Sequence, residues 1–161
     1  MTTVVCVVGP SDTGKTTLIE SLVARLRTHG RVATVKSIHH DIEIDTPGKD
    51  TYRHREAGAE TVVGITPSRT FRIDERGKRD GESKRETAIL EKTVDDLVAE
   101  GYEYVLVEGF HRAPYPKIHL GDREGITPPV VARGVGASDI DVDDLVDRLL
   151  EGVGDGCGHE Y

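Results

Sequence analysis

A nine-residue stretch near the N-terminus, Gly9-Pro10-Ser11-Asp12-Thr13-Gly14-Lys15-Thr16-Thr17, constrains this chain more than any other segment. The apolar run Val4-Val5-Cys6-Val7-Val8 precedes it, and a helical pattern follows in which Leu18, Ile19, Leu22, Val23 and Leu26 share one face. Strand, glycine loop and helix with G-x4-G-K-T at the junction is the phosphate-binding P-loop in the context that gives the motif its meaning. Gly9 and Gly14 allow the backbone to bend so that successive N–H groups point at an anion. The helix beginning near Lys15 adds the positive end of its dipole. Lys15 can reach the β- and γ-phosphates of a nucleotide, and the Thr16 hydroxyl can sit on a magnesium ion. An ordinary glycine-containing turn would not need all these positions at this spacing.

The 161 residues suit one domain with a real core, built mainly from Val, Leu and Ile because aromatics are scarce. No apolar run approaches a membrane span, and no basic segment precedes a long apolar one at the N-terminus, so we expect a soluble cytoplasmic protein. Cys6 and Cys157 make no disulfide framework, and Cys6 reads as a small core residue. A formal charge of −8, spread along the chain, argues against a nucleic-acid binder, which needs a basic footprint. Arginine exceeds lysine, and asparagine and glutamine are absent. This acidic, lysine-poor composition is one that suits a salt-rich, halophilic cytoplasm.

The first helix is predicted to run to about His29, ended by Gly30, and residues 31–38 read as a second strand. Strand, helix and strand in this order form a βαβ unit with parallel strands. The polar stretch from His39 to Asp50 follows, with a turn at Pro47-Gly48 and a short helix from Thr51 to about Ala57, capped by Asp50 or Thr51. Residues 61–66 and 69–74 form a hairpin around Pro67-Ser68, and 75–85 is predicted to be an exposed mobile loop. A second amphipathic helix spans Ala88 to Glu100. The strand Tyr104–Val107 leads into Glu108-Gly109-Phe110, short strands follow at 117–120 and 130–132, and a last helix starts near Asp141. The expected fold is α/β: a P-loop NTPase-like, mostly parallel sheet flanked by helices, with an inserted β-hairpin at about 61–74. Residues 1–152 form one nucleotide-binding domain and 153–161 a flexible tail.

A P-loop needs an acidic partner for its metal, and Glu108, at the end of a buried strand and before a glycine, is the leading candidate. Asp41 is the second. It lies just beyond the second strand, on the edge where the phosphate loop opens, and would position magnesium or an attacking water, with Asp45 and Asp50 competing for that role. His39 and His40, with His54, His111 and His119, invite a transition-metal reading. Adjacent histidines on an extended chain point opposite ways, however, and the spacing matches no closed structural site. The Cys157-Gly158-His159 tail is a weaker candidate of the same kind. Lys36, Lys49, Arg53 and Arg55 place positive charge in an acidic chain, for a second anionic ligand or for salt bridges. Asp139, after the last strand, is placed where a carboxylate can accept hydrogen bonds from a guanine edge.

Taken together, several segments resemble the MobB family of molybdopterin-guanine dinucleotide synthesis. They are the Gly9–Thr17 loop, Val35-Lys36 leading into His39-His40-Asp41, Asp45-x-Pro47-Gly48-Lys49-Asp50-Thr51, Arg55-x-Ala57-Gly58-Ala59, and Leu106-Val107-Glu108-Gly109-Phe110 with Pro116-Lys117-Ile118. His111 stands where the family often has lysine. The resemblance implies a GTP-binding adapter, with weak GTP hydrolysis at most, that works beside the MobA guanylyltransferase and molybdopterin. It also implies a homodimer with β-structure from mid-chain exchanged between subunits. On that reading residues 9–17 hold the nucleotide, Thr16, Glu108 and Asp41 serve magnesium, and Lys15 and Asp41 act at the γ-phosphate. Lys49 and Asp50 face the nucleotide or the pterin-bearing partner. Two other functions use the same loop: a nickel-enzyme metallochaperone GTPase with the histidines as ligands, and a small-molecule kinase with residues 69–85 as a lid over ATP.

Overall fold

Five parallel strands in the order β2-β5-β1-β6-β7 form the central sheet of a computed structural model that describes residues 1–78 and 83–153. The strands are β1 (Thr3–Val8), β2 (Val32–Lys36), β5 (Tyr104–Glu108), β6 (Lys117–Leu120) and β7 (Val130–Gly134). Alternation along β1 sends side chains to two faces. Val5 and Val7 join Leu106, Ile118 and Leu120 beneath α1 (Lys15–Leu26) and α4 (Val142–Leu150). Cys6 and Val8 join Val105 and Val107 against Leu90 and Val94 of α3 (Ser83–Ala99). The result is a helix–sheet–helix sandwich, with each of Leu18, Leu22 and Leu26 contributing about 1.5–3 kcal/mol by burial. The strand pattern and the helix period in the sequence both predict this architecture.

Contacts divide the chain into two compact units, Met1–Ser37 with Thr87–Tyr161, and Ile38–Glu86. The first carries the five-stranded sheet. The second, inserted after β2, holds α2 (Asp50–Glu56) and the antiparallel hairpin of β3 (Thr61–Ile65) and β4 (Thr70–Asp74). Within it, α2 packs on β3, Val62 and Ile73 are buried, and the Phe71 ring lies over Gly64, where an added Cβ would come within 2.2 Å of it. The opposite hairpin face leaves Val63 and Ile65 exposed.

Boundaries differ from expectation where tertiary partners decide them. Helix α1 ends at Leu26, and residues 27–30 close it in a tight turn whose amides donate to Val23, Arg25 and Leu26 carbonyls. Strand β2 stops at Lys36 because its partner β5 ends at the paired residue, Glu108. Lys49, rather than Asp50 or Thr51, stands at the N-cap position of α2, contributing its carbonyl to the Arg53 amide rather than a side-chain cap. Helix α3 begins five residues before Ala88. Residues Ser83–Thr87 are charged or polar and offer no apolar period to read, although Lys, Arg and Glu sustain helix well. The tail with Cys157-Gly158-His159, and residues 79–82 of the loop expected at 75–85, lie outside the described residues.

Asp141 caps α4 as its position in the sequence suggests, accepting from the Asp143 and Asp144 amides at 3.1 and 3.0 Å. Asp141→Ala should therefore cost about 1 kcal/mol. Truncating the fully buried Leu22 to Ala should cost about 2–5 kcal/mol. Urea unfolding followed by circular dichroism would measure both, and equal losses would contradict this packing.

Candidate functional site

The loop between β1 and α1 is shaped by residues with left-handed or otherwise positive φ: Gly9 (154°), Asp12 (61°) and Gly14 (87°). Both glycines are also sterically required. A Cβ on Gly9 would lie 2.1 Å from the Leu120 carbonyl oxygen, and one on Gly14 2.7 Å from Ala137 Cβ. Ala137 starts a short 3₁₀ turn (Ala137–Asp139) whose amide donates to the Thr13 carbonyl at 3.0 Å. On the other side a Cβ added at Gly121, just past β6, would lie 3.0 Å from Pro10 and 3.2 Å from Thr13. Thus the loop is wedged between the ends of β6 and β7, with Thr13 Oγ1 donating to the Pro10 carbonyl at 2.9 Å.

Lys15 folds back within this loop, its Nζ donating to the Pro10 carbonyl at 2.6 Å. Its pKa is held below the ordinary lysine value, first by burial. The Glu108 carboxylate opposes that effect, while the Lys36 and Arg123 charges add to it. An anion in the loop would relieve that depression by supplying opposite charge.

Parallel pairing sets Val7 of β1 beside Glu108 of β5, so both strands end at the same edge of the sheet. The Glu108 carboxylate is buried there, and the Thr16 hydroxyl stands 3.1 Å from each of its oxygens. Lys36 Nζ, at the end of β2, lies 2.6 Å from Glu108 Oε1. Beyond Glu108 the chain turns sharply. Gly109 has φ 96°, and an added Cβ there would lie 2.8 Å from Ser37 Cβ. Loop, hydroxyl, carboxylate and two lysines therefore gather at the carboxyl edge of one sheet, where open α/β sheets bind ligands.

Residues 9–17 and Glu108 come together as the sequence suggests. Asp41, Lys49 and Asp50 belong to the second unit, where all three are exposed. Asp45 has a structural job: its Oδ1 accepts from the Thr46 amide at 3.0 Å and the Thr51 hydroxyl at 2.9 Å, and Arg55 lies 3.6 Å from Oδ2. The Asp-x-Pro-Gly-Lys-Asp run thus folds its turn onto α2 and leaves Lys49 and Asp50 outward. Asp139 spends Oδ2 on the Val135 and Gly136 amides, shaping the loop that supports Thr13. Among the described residues no three His, Cys, Asp or Glu side chains gather as a metal site. Of the expected lid, Thr70–Asp74 is strand β4 and Ser83 onward is helix α3.

Sequence reading left two features open. Lys36 was one of four scattered cations, and only the β2–β5 register pairs it with Glu108. Lys117, matched as part of a motif, proves to be fully buried: its ammonium donates to the Ala113 and Tyr115 carbonyls, fastening the 109–116 connection across the sheet. Its neighbour Cys6 is a core thiol pushed up to about 12 by burial.

A P-loop NTPase-like α/β protein is the class that this sheet and loop define. The sequence matches the family described as MobB, molybdopterin guanine dinucleotide synthesis protein B, over residues 4–134, and the chain belongs to that family. It is similar to the molybdopterin-guanine dinucleotide biosynthesis adapter protein of Haemophilus influenzae, with 35% identity over 77% of this chain and 65% of that protein. The Escherichia coli adapter protein is 34% identical over 68% of this chain and 60% of its own length. The chain thus spans less than two-thirds of these relatives. Among solved structures, a MobB homologue from Bacillus stearothermophilus aligns over 92% of this chain and 98% of its own, with TM-score 0.60 and 22% identity. Bacillus subtilis MobB gives TM-score 0.61 at 23% identity, covering 92% of this chain and 96% of its own. These two structures agree with the fold. No described helix is long and apolar enough to cross a membrane.

His119, considered above as a metal ligand, is buried on β6 with Arg133 Nη1 2.8 Å from Nδ1. Arginine can only donate, so Nδ1 accepts and the imidazole is neutral with its proton on Nε2. Burial first, then Arg133, holds its pKa below the ordinary value, against a weaker opposite pull from Asp122. The unfolded chain therefore binds the proton first, and stability should fall as pH drops through about 6.5. His119→Gln should lose that part of the slope. Urea midpoints between pH 7.5 and 5.5 would decide, and identical slopes in both proteins would refute it.

Proposed function

We propose that this chain is a GTP-binding adapter in molybdopterin guanine dinucleotide synthesis, assisting a MobA-type guanylyltransferase and hydrolysing GTP slowly if at all. The observation that carries the reading is the Thr16 hydroxyl set against the buried Glu108 carboxylate at the mouth of a P-loop. Those residues fit a magnesium–nucleotide complex. Hydroxyl and carboxylate oxygens are the ligands that magnesium takes, and the ion would neutralise phosphate charge there. Residues 9–17 would hold the phosphates through loop amides, the α1 N-terminus and the Lys15 ammonium. Family membership supports guanine over adenine and the role in cofactor synthesis. Asp41, in the connection after β2, is assigned to the metal or an attacking water, and Lys49 and Asp50 to the nucleotide or the pterin-bearing partner. Their exposure in the second unit suits groups that meet a ligand or another protein.

Lys15→Ala should abolish GTP binding and leave the fold intact, since among the described residues the side chain spends one hydrogen bond, on the Pro10 carbonyl. Calorimetric titration with GTP, ATP and molybdopterin, with and without the transferase, tests the whole reading. Undiminished nucleotide affinity in that variant would remove the loop from the function, and ATP binding with fast transfer to an acceptor would favour a kinase.

The adapter is assigned as a homodimer joined through the hairpin. Two strands alone make a marginal sheet with open edges, and here one face exposes Ile65 and Val63, 81% and 51% accessible. A second copy would complete the sheet and cover that face. Val63→Lys with Ile65→Lys should convert a dimer to monomers in sedimentation velocity. An unchanged sedimentation coefficient would place the interface elsewhere.

A further inference from the structure

We propose that Lys36 is a resident counter-cation for Glu108, which it releases to a divalent metal ion when a metal–nucleotide complex binds. The inference rests on the nucleotide reading above. Its basis is an asymmetry within one ion pair. Glu108's side chain is 11% exposed and that of Lys36 is 55% exposed, yet their charged atoms lie 2.6 Å apart. A carboxylate so buried needs a compensating charge at all times. Its backbone is also fixed, because β5 is hydrogen-bonded between β1 and β2 and the Glu108 carbonyl accepts from the Ser37 amide at 2.9 Å. Lys36 is fixed only at its backbone. Its four-carbon stem stands largely in solvent at the end of an edge strand, so the ammonium can swing away at small cost.

Occupancy of the carboxylate gives the second part. Thr16 reaches both Glu108 oxygens, and Lys36 takes Oε1 as well. A dication held by Thr16 and Glu108 would share one carboxylate with the ammonium, and like charges that close repel. That repulsion weakens the pairing of both cations with the carboxylate, and the exposed one yields. Lys36 therefore holds the carboxylate in place before the metal arrives. The consequence is weaker metal coupling than the ligands alone would give.

The test compares GTP affinity at saturating free Mg2+ with GTP affinity in EDTA, for the wild-type chain, Lys36→Met, Lys36→Gln and Lys36→Arg. Removing the competing charge should raise the ratio of the two affinities about tenfold in Lys36→Met and Lys36→Gln, the effect of one modest charge–charge interaction. Lys36→Arg should stay near wild type, and affinity at saturating Mg2+ should be no weaker in the Met and Gln variants than in the wild-type chain. In EDTA the Met and Gln variants should also unfold at lower temperature, having lost the counter-cation, with Mg2+ and GTP restoring them. An unchanged or smaller ratio would overturn the proposal, as would weakened binding at saturating Mg2+, which would make Lys36 a phosphate ligand. A wild-type chain that binds neither GTP nor ATP would remove the nucleotide reading and this proposal together. Normal wild-type binding with no response to Lys36 would remove the proposal alone.

Discussion

Everything at the candidate site depends on the parallel pairing of β1 with β5. Five consecutive residue pairs, from Thr3 with Tyr104 to Val7 with Glu108, bring the two strand ends level. The glycine loop leaves one strand at that line and the carboxylate ends the other. A slip of one residue would turn Glu108 to the opposite face, away from Thr16. The register is held by burial on both faces, since Val5, Cys6, Val7, Val105, Leu106 and Val107 are all inaccessible to solvent or nearly so. Core packing and site geometry are thus one constraint.

The loop itself is supported from outside as much as from within. Leu120, Gly121 and Ala137 press on it from β6 and from the turn after β7, and each contact falls on Gly9, Pro10, Thr13 or Gly14. Such backing lets a run of main-chain amides keep one conformation without a ligand to order it, which lowers the entropy lost on binding. Asp139 belongs to this support. Its carboxylate accepts from two amides of the preceding turn, a local use typical of aspartate near loop ends. Lys117 plays a comparable part on the other side of the sheet, tying the connection that follows Glu108 to β6 through two carbonyls.

The second unit is organised differently. Among its described residues the buried apolar positions are few, Val62 and Ile73 among them, and polar contacts carry much of its local order. Asp45 gathers the Thr46 amide and the Thr51 hydroxyl, and Arg55 joins it to Glu75. The most specific motif in the chain therefore divides into residues that fold it and residues that face out. No spacing rule distinguishes them, because an aspartate that accepts local hydrogen bonds and one that meets a ligand look alike in a sequence.

How much was legible follows from the range of each interaction. The P-loop could be read because its parts are adjacent: an amide nest, a lysine and a helix start act within nine residues, and their chemistry is local. The sheet and helices could be read because burial imposes periods of two and 3.6 on apolar residues. Glu108 was reachable by analogy of position, at the end of an apolar strand. Its meeting with Thr16, 92 residues away, and with Lys36, 72 residues away, was not. Strand order and register decide those contacts, and they arise from the packing of the whole sheet. The same holds for the start of α3 and for the burial of Lys117, where charged residues carry no apolar signal and only tertiary partners determine which are covered. The sequence alone determined a loop able to grip an anion and the layers to carry it. The tertiary structure decided which distant acid and which distant cation stand beside that loop.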